Sequence, residues 1–204
     1  LIARFDSYKN HQGFLEAAAA VITRLPGVHF LLVGGGVDQY NAPLIAGVRR
    51  LGLDGKVHLL GLRQDMPRLM ASLDVVASAS WTEAFPNVLG EAMACGVFPI
   101  VTDNDANRPW VNDGVNGFLV RYGDSGHLAD KIRLVMDDAD LRHRAQPINR
   151  QLVVDKASIH SNMPLFDDTS DVWGDEDFRL VESISDVCRW SRPDEFERLL
   201  RDAA

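Results

Sequence analysis

Two carboxylates and the turn between them hold the clearest chemical potential in the chain. Glu83 and Glu91 frame the segment Glu-Ala-Phe-Pro-Asn-Val-Leu-Gly-Glu, which runs on through Ala-Met-Ala-Cys to Gly96. Val75–Ser78 reads as a strand, and Asn87–Cys95 reads as an apolar helix with Gly96 at its C-cap. The segment therefore spans a strand end and a helix start, where open α/β sheets bind ligands. Asn87 can cap that helix, and the free N–H groups beside it would face a phosphate. Glu91 lies about one turn in, so its carboxylate reaches back toward the ligand side. Two acceptors then bracket an anion, placed for the hydroxyls of a sugar and a ribose. Taken alone, the same acids also read as ordinary helix-start and surface residues. The Phe85-Pro86 turn, the apolar helix and Gly96 weigh toward a site.

Arg4 and Lys9 follow the first strand-like run and flank a short loop. A diphosphate leaving group gathers negative charge as its bond breaks, and fixed cations stabilise that charge without a metal. Arg offers a planar fork and Lys a point charge. By themselves, two loop cations five positions apart are equally readable as solvated charges. Gly34-Gly35-Gly36 permits close backbone approach and a tight turn bordering such a site. It is not the G-x-G-x-x-G dinucleotide fingerprint, and no acid stands where that fingerprint needs one. Arg63 with Asp65, and the polar stretch Asp103–Arg108, follow other strand ends and could line a base or a sugar, or be surface turns. Cys95 reads as a small core residue. His11, His29, His58, His127, His143 and His160 read as surface or core residues. No His/Cys/carboxylate group has metal-ligand spacing.

The elements that must position these residues alternate. Leu1–Phe5, Val28–Val33, Val57–Leu60, Val75–Ser78, Phe98–Val101 and Gly117–Val120 read as strands. His11–Leu25, Pro43–Leu51, Met66–Ser72, Asn87–Cys95 and His127–Asp137 read as helices between and after them. Strands alternating with helices predict βαβ units, hence a Rossmann-like, doubly wound parallel sheet. The pattern gives one domain over residues 1–146 and a divergent acidic tail over residues 147–204. In that tail Asp175–Trp190 and Pro193–Asp202 are candidate helices, and aromatic residues such as Trp173 and Trp190 argue for docking.

Bulk properties narrow the function classes. The chain has 204 residues and is 46% hydrophobic and 25% charged, a globular composition. Its net charge of -8 is uneven. Residues 161–204 hold 12 acids and five bases, whereas residues 1–160 hold 17 and 16. A neutral body with an acidic tail argues against nucleic-acid binding, which needs a basic footprint. No apolar run approaches the roughly 20 residues of a membrane helix. Two cysteines fit a reduced, cytoplasmic setting, with peripheral membrane contact open for a longer protein. A start at Leu1, directly in strand-like residues, suggests a piece of such a protein.

Together these pieces resemble the donor-binding domain of retaining glycosyltransferases of the GT-B fold, specifically glycosyltransferase family 4. The resemblance covers about residues 1–146. It is carried by Ala3-Arg4-Phe5 with Lys9-Asn10, by Leu31-Leu32-Val33-Gly34, by Val57–Gly61 and Leu73-Asp74-Val75, and by the Glu-x7-Glu stretch through Gly96. Pro99 with Val101-Thr102-Asp103, then Asp113–Gly117, continue it in order. It implies that Arg4 and Lys9 bind the diphosphate of a nucleotide sugar and that Glu83 contacts the sugar near its reacting carbon. Phe85 and Pro86 would form the turn, Asn87 and Val88 would hold the distal phosphate through N–H groups, and Glu91 would hold the ribose. Arg4, Lys9 and Glu83 would be the catalytic set, with no metal and no cofactor. The family's proposal for retention is front-face attack with the leaving phosphate as base.

The resemblance further implies an acceptor-binding N-terminal domain that these residues do not contain, an acceptor of unknown kind, and a closing helix not recognisable after about residue 150. Sugar phosphorylases and nucleotide-sugar epimerases share the scaffold and stand as alternatives, as does a binding module without turnover.

Overall fold

The computed structural model describes residues 1–82 and 87–157. A 3₁₀ turn, Ser7–Lys9, leads into α1 (His11–Ile22) and β1 (Phe30–Leu32). Next come α2 (Ala42–Arg50), β2 (Val57–Leu59), α3 (Met66–Ala71) and β3 (Val75–Ser78). They are followed by α4 (Asn87–Ala94), β4 (Phe98–Thr102), β5 (Phe118–Val120), α5 (Ser125–Asp137) and α6 (Ala139–Ala157). All strand pairs are parallel, β1 with β2 and β3-β4-β5 in a second sheet. Phe30↔Val57, Val75↔Phe98 and Ile100↔Phe118 set the registers.

β1 and β4 are buried along their whole length, as strands covered by helices on both faces must be. On one face α1 packs against α2 and α5; on the other α4 packs against α3 and α6. α1 buries Phe14, Leu15, Ala17, Ala18 and Val21, an apolar stripe at helical spacing, and ends ahead of Pro26-Gly27. Side-chain caps fix the helix starts. Asn10 accepts from Gly13 N, Asn41 from Leu44 N, and Asp124 from His127 N. This is the doubly wound α/β architecture the alternation predicts.

Two elements differ from the sequence reading. Leu1–Phe5 forms a single parallel bridge, Ile2↔Val33, rather than a full strand. It is held by Val33 N to Leu1 O, Ala3 N to Val33 O and Phe5 N to Gly35 O. Its side chains share apolar clusters with both β1 and β3, so it lies between the two sheets. The second difference is α6, which runs unbroken through residue 146. Its buried stripe is Leu141, Ala145, Asn149 and Val153, so a polar residue occupies an apolar position and Pro147 interrupts the pattern. The candidate helices Asp175–Trp190 and Pro193–Asp202 lie outside the described residues. Among the described residues no helix is long and apolar enough to cross a membrane.

Candidate functional site

Because every strand runs the same way, the loops that follow them gather at one carboxyl edge. The first is the segment from Arg4 to Lys9. Gly34 makes it possible: its φ is 146°, and a Cβ there would stand 2.3 Å from Ala3 O and 2.8 Å from Arg4 N. The glycine turn thus accommodates the chain's own backbone beside Arg4. Asp6 then organises the loop. Its carboxylate accepts from Tyr8 N at 3.0 Å and pairs with the Arg4 guanidinium at 3.4 Å, while that guanidinium stays 75% exposed. Lys9 closes the 3₁₀ turn, and Asn10, at φ 50°, reverses the chain into α1. Asn tolerates that left-handed conformation better than most residues.

The second loop follows β3. Trp81 N donates to Tyr8 O at 2.8 Å, which ties this loop to the Arg4–Lys9 turn. Glu83, Phe85 and Pro86 lie outside the described residues. The chain resumes at Asn87, the first residue of α4, which is exposed, with Val88 half-buried beside it. Glu91 sits one turn further on. It is half-buried, burial pushes its pKa above the usual carboxylate range, and its carboxylate has no hydrogen-bond or ion-pair partner among the described residues. An unpartnered, partly desolvated acceptor is set up to receive hydroxyl donors from a ligand.

The other candidates are engaged with one another. Arg63 forms a bidentate pair with Asp65, at 2.8 and 2.7 Å, which holds the Asp65 pKa down. Arg108 bridges Asp103 and Asp105, and Asn107 is buried with its amide donating to Thr102 O. Cys95 is buried. His29 and His58 pair at 2.9 Å across β1 and β2. Among the described residues no cluster of three or more His, Cys, Asp or Glu could hold a metal. Sequence reasoning passed over Asp6, Asn10 and the Tyr8–Trp81 link. The first two carry a signal, since Asp and Asn are the residues that cap short turns. The link joins distant residues and has none.

In open parallel α/β sheets ligands bind at the carboxyl edge, toward which the Arg4–Lys9 turn and the start of α4 lie. The sequence profile of Glycosyl transferases group 1 matches residues 1–138, and the chain belongs to that family. It is 32% identical over 158 residues to the lipopolysaccharide core biosynthesis glycosyltransferase LpsE of Rhizobium meliloti, covering 77% of this chain and 44% of that protein. It is 30% identical over 142 residues to a Campylobacter jejuni N,N'-diacetylbacillosaminyl-diphospho-undecaprenol alpha-1,3-N-acetylgalactosaminyltransferase, covering 70% of this chain and 36% of the relative.

Among solved structures it is similar to Anabaena HepE in complex with UDP and glucose. That match has 32% identity, a TM-score of 0.68, and covers 80% of this chain and 47% of HepE. It is also similar to the C-terminal domain of LpcC, a group 1 glycosyl transferase from Francisella tularensis. Here identity is 28%, the TM-score 0.69, and coverage 76% of this chain and 84% of the domain. The chain thus spans less than half the length of the curated relatives it matches.

Proposed function

We propose that this domain holds the donor of a glycosyltransferase, a nucleotide-diphosphate hexose, at the carboxyl edge of its sheet. Arg4 and Lys9 face the diphosphate, N–H groups of Asn87 and Val88 its distal phosphate, Glu91 the ribose hydroxyls, and Glu83, with Phe85 and Pro86, the sugar. The observation that carries this reading is Glu91, a half-buried carboxylate one turn into α4 with no hydrogen-bond or ion-pair partner among the described residues. In the longer protein, the bond from the anomeric carbon to the leaving phosphate breaks as an acceptor hydroxyl bonds to the same face. Its proton passes to the departing diphosphate, whose charge Arg4 and Lys9 stabilise. Configuration is retained and no metal is needed. The acceptor binds elsewhere than on these residues, so this chain alone binds donor without turnover.

Calorimetry with a panel of nucleoside diphosphates and nucleotide sugars tests the reading; no heat with any of them would sink it. Glu91→Ala weakens UDP and UDP-sugar alike, by about ten- to hundredfold, the roughly 1.5–3 kcal/mol of a charged hydrogen bond. Glu83→Ala weakens the sugar nucleotide and spares UDP. Equal losses for both ligands in both variants would contradict that division of roles.

A further inference from the structure

Beside the Arg4–Lys9 turn stand two aromatic rings that the proposed donor contacts do not use. Trp81 follows β3 and Tyr122 follows β5, and both are exposed. Their ring centroids lie 4.3 Å apart and the ring planes meet at 86°. An edge-to-face contact covers at most one face of a ring, so Trp81 keeps a face that Tyr122 does not occupy. The loop that carries Trp81 is fixed as well. Trp81 N donates to Tyr8 O at 2.8 Å, and Tyr8 is itself exposed. A ring already held in place loses little freedom when a ligand lies on it.

The pair has a definite side. Tyr122 stands two residues before Asp124, the cap of α5, and Tyr8 lies in the turn that leads into α1. α1 and α5 pack together on one face of the sheet, whereas α4 packs with α3 and α6 on the other. The rings thus flank the Arg4–Lys9 turn from the side away from the α4 start. Polar groups surround them. Arg121 pairs with Asp124 at 2.7 Å and Arg4 with Asp6 at 3.4 Å. Asn10, Thr102, Arg121 and Asp124 line a cavity of about 10 Å³, room for one water. Single rings among charges do not make the contiguous apolar patch that a protein or membrane surface requires. A pyranose fits them better. Its axial C–H bonds present an apolar face to a ring, while its equatorial hydroxyls reach sideways to polar groups.

We propose that Trp81, braced by Tyr122, is a stacking platform for one pyranose ring of the acceptor, which is therefore a saccharide or a glycoconjugate. Arg4, Lys9, Glu83 and the α4 start take no part in holding that ring, and the rest of the acceptor is presented from outside this chain. Assigning the ring to the acceptor rests on the donor reading above, which places nucleotide and hexose at the diphosphate turn and the α4 start. The stacking itself rests on the exposed, braced indole.

The test is saturation-transfer NMR on the full chain with a panel of methyl pyranosides. Sorbitol serves as an open-chain polyol and hexanol as an apolar probe, and calorimetry with UDP runs alongside. The glycosides are expected to receive saturation through their ring C–H protons. Trp81→Ala should weaken them by about tenfold, and Trp81→Phe by less, with UDP affinity unchanged in both variants. Added UDP-hexose should leave the glycoside signal in place. Glycosides no better than sorbitol, or equal in the parent and Trp81→Ala, would overturn the proposal while UDP binding stood. Saturation of hexanol alone, lost in Trp81→Ala, would make the pair a seat for an apolar partner instead. Displacement of the glycoside by UDP-hexose but not by UDP would put the donor's own hexose on the ring and remove the acceptor assignment. No heat with UDP would sink the donor reading, and the acceptor assignment with it, even where the glycosides bind.

Discussion

Burial opposes ionisation of the Glu91 carboxylate, so its proposed ligand-binding role can be tested on the ligand-free fold. Its folded pKa is raised by desolvation, so the fold binds its proton more tightly than the unfolded chain does. The favourable contribution is therefore full below the ordinary carboxylate value near 4.5 and is lost as pH rises through the folded pKa. At neutral pH the ionised group is a standing cost. Glu91→Gln should accordingly raise the ligand-free Tm at pH 7 while weakening UDP. A Tm that falls together with affinity would mean the carboxylate holds the fold. His11 runs with the opposite sign. It is 3% exposed beside Phe5, neither ring nitrogen meets hydrogen-bond geometry, and burial lowers its pKa although the nearby Ala3 backbone offsets part of the shift. Stability is then full above about 6.5 and is lost as pH falls through the folded pKa. Melts at pH 8 and pH 5 should show His11→Leu losing less stability on acidification than the parent chain; identical losses would remove His11 from the acid response. Arg4, Lys9 and Glu91 stand out in the sequence only through their place beside a strand end and a helix start, since by type alone they read equally as surface charges, and Glu83 lies outside the described residues. Asp6 and Asn10 signal a turn by their type, but which groups that turn positions only the fold reveals.

At the scale of elements, the strand–helix alternation through Asp137 was readable because β1, β3 and β4 are short apolar runs bounded by turn residues. α6 was not readable, and the cause lies in its own stripe. Asn149 occupies a buried position where periodicity demands an apolar residue, and it does so because the site is polar. Asn116 Nδ2 donates to Asn149 Oδ1 at 3.0 Å, and Asn149 Nδ2 donates to Val97 O at 3.3 Å. One turn of α6 is thus bonded to the start of β4 and to the loop before β5. Arg150 adds a bond to Cys95 O and lies over Gly96, where a Cβ would stand 2.9 Å from the guanidinium. Asn149→Leu should cost about 1–3 kcal/mol, because it leaves the Asn116 amide without one of its buried partners. Urea unfolding with unchanged m-value checks this. A loss below about 0.5 kcal/mol would mean that α6 is held by its apolar contacts alone. Pro147 compounds the disguise, since it removes one helical hydrogen bond and reads in sequence as a stop.

At the scale of the whole molecule, the proposed function separates binding a donor from using it. The Arg4–Lys9 turn and the start of α4 lie toward one carboxyl edge, and that edge is open: the Arg4 side chain is 75% exposed and Trp81 is 56% exposed. Under the proposed function, binding a nucleotide diphosphate needs only that edge, because the groups that would recognise diphosphate and ribose stand on it. Transfer needs more. Charge developing on a leaving phosphate is stabilised strongly only where water is excluded, and the exposure of Arg4 and Trp81 leaves this edge open to water. The chain spans less than half the length of these transferase relatives. The expected behaviour is therefore split. UDP at a hundred times its Kd should stabilise the chain by about 2.7 kcal/mol, a shift of roughly 5–10 °C in Tm for a domain of this size. UDP-sugar incubated with the same chain and a range of acceptor hydroxyls should release no UDP above the uncatalysed rate. Release of UDP coupled to glycosylated product would show that this edge completes the reaction unaided, and the division between holding and transferring would fall.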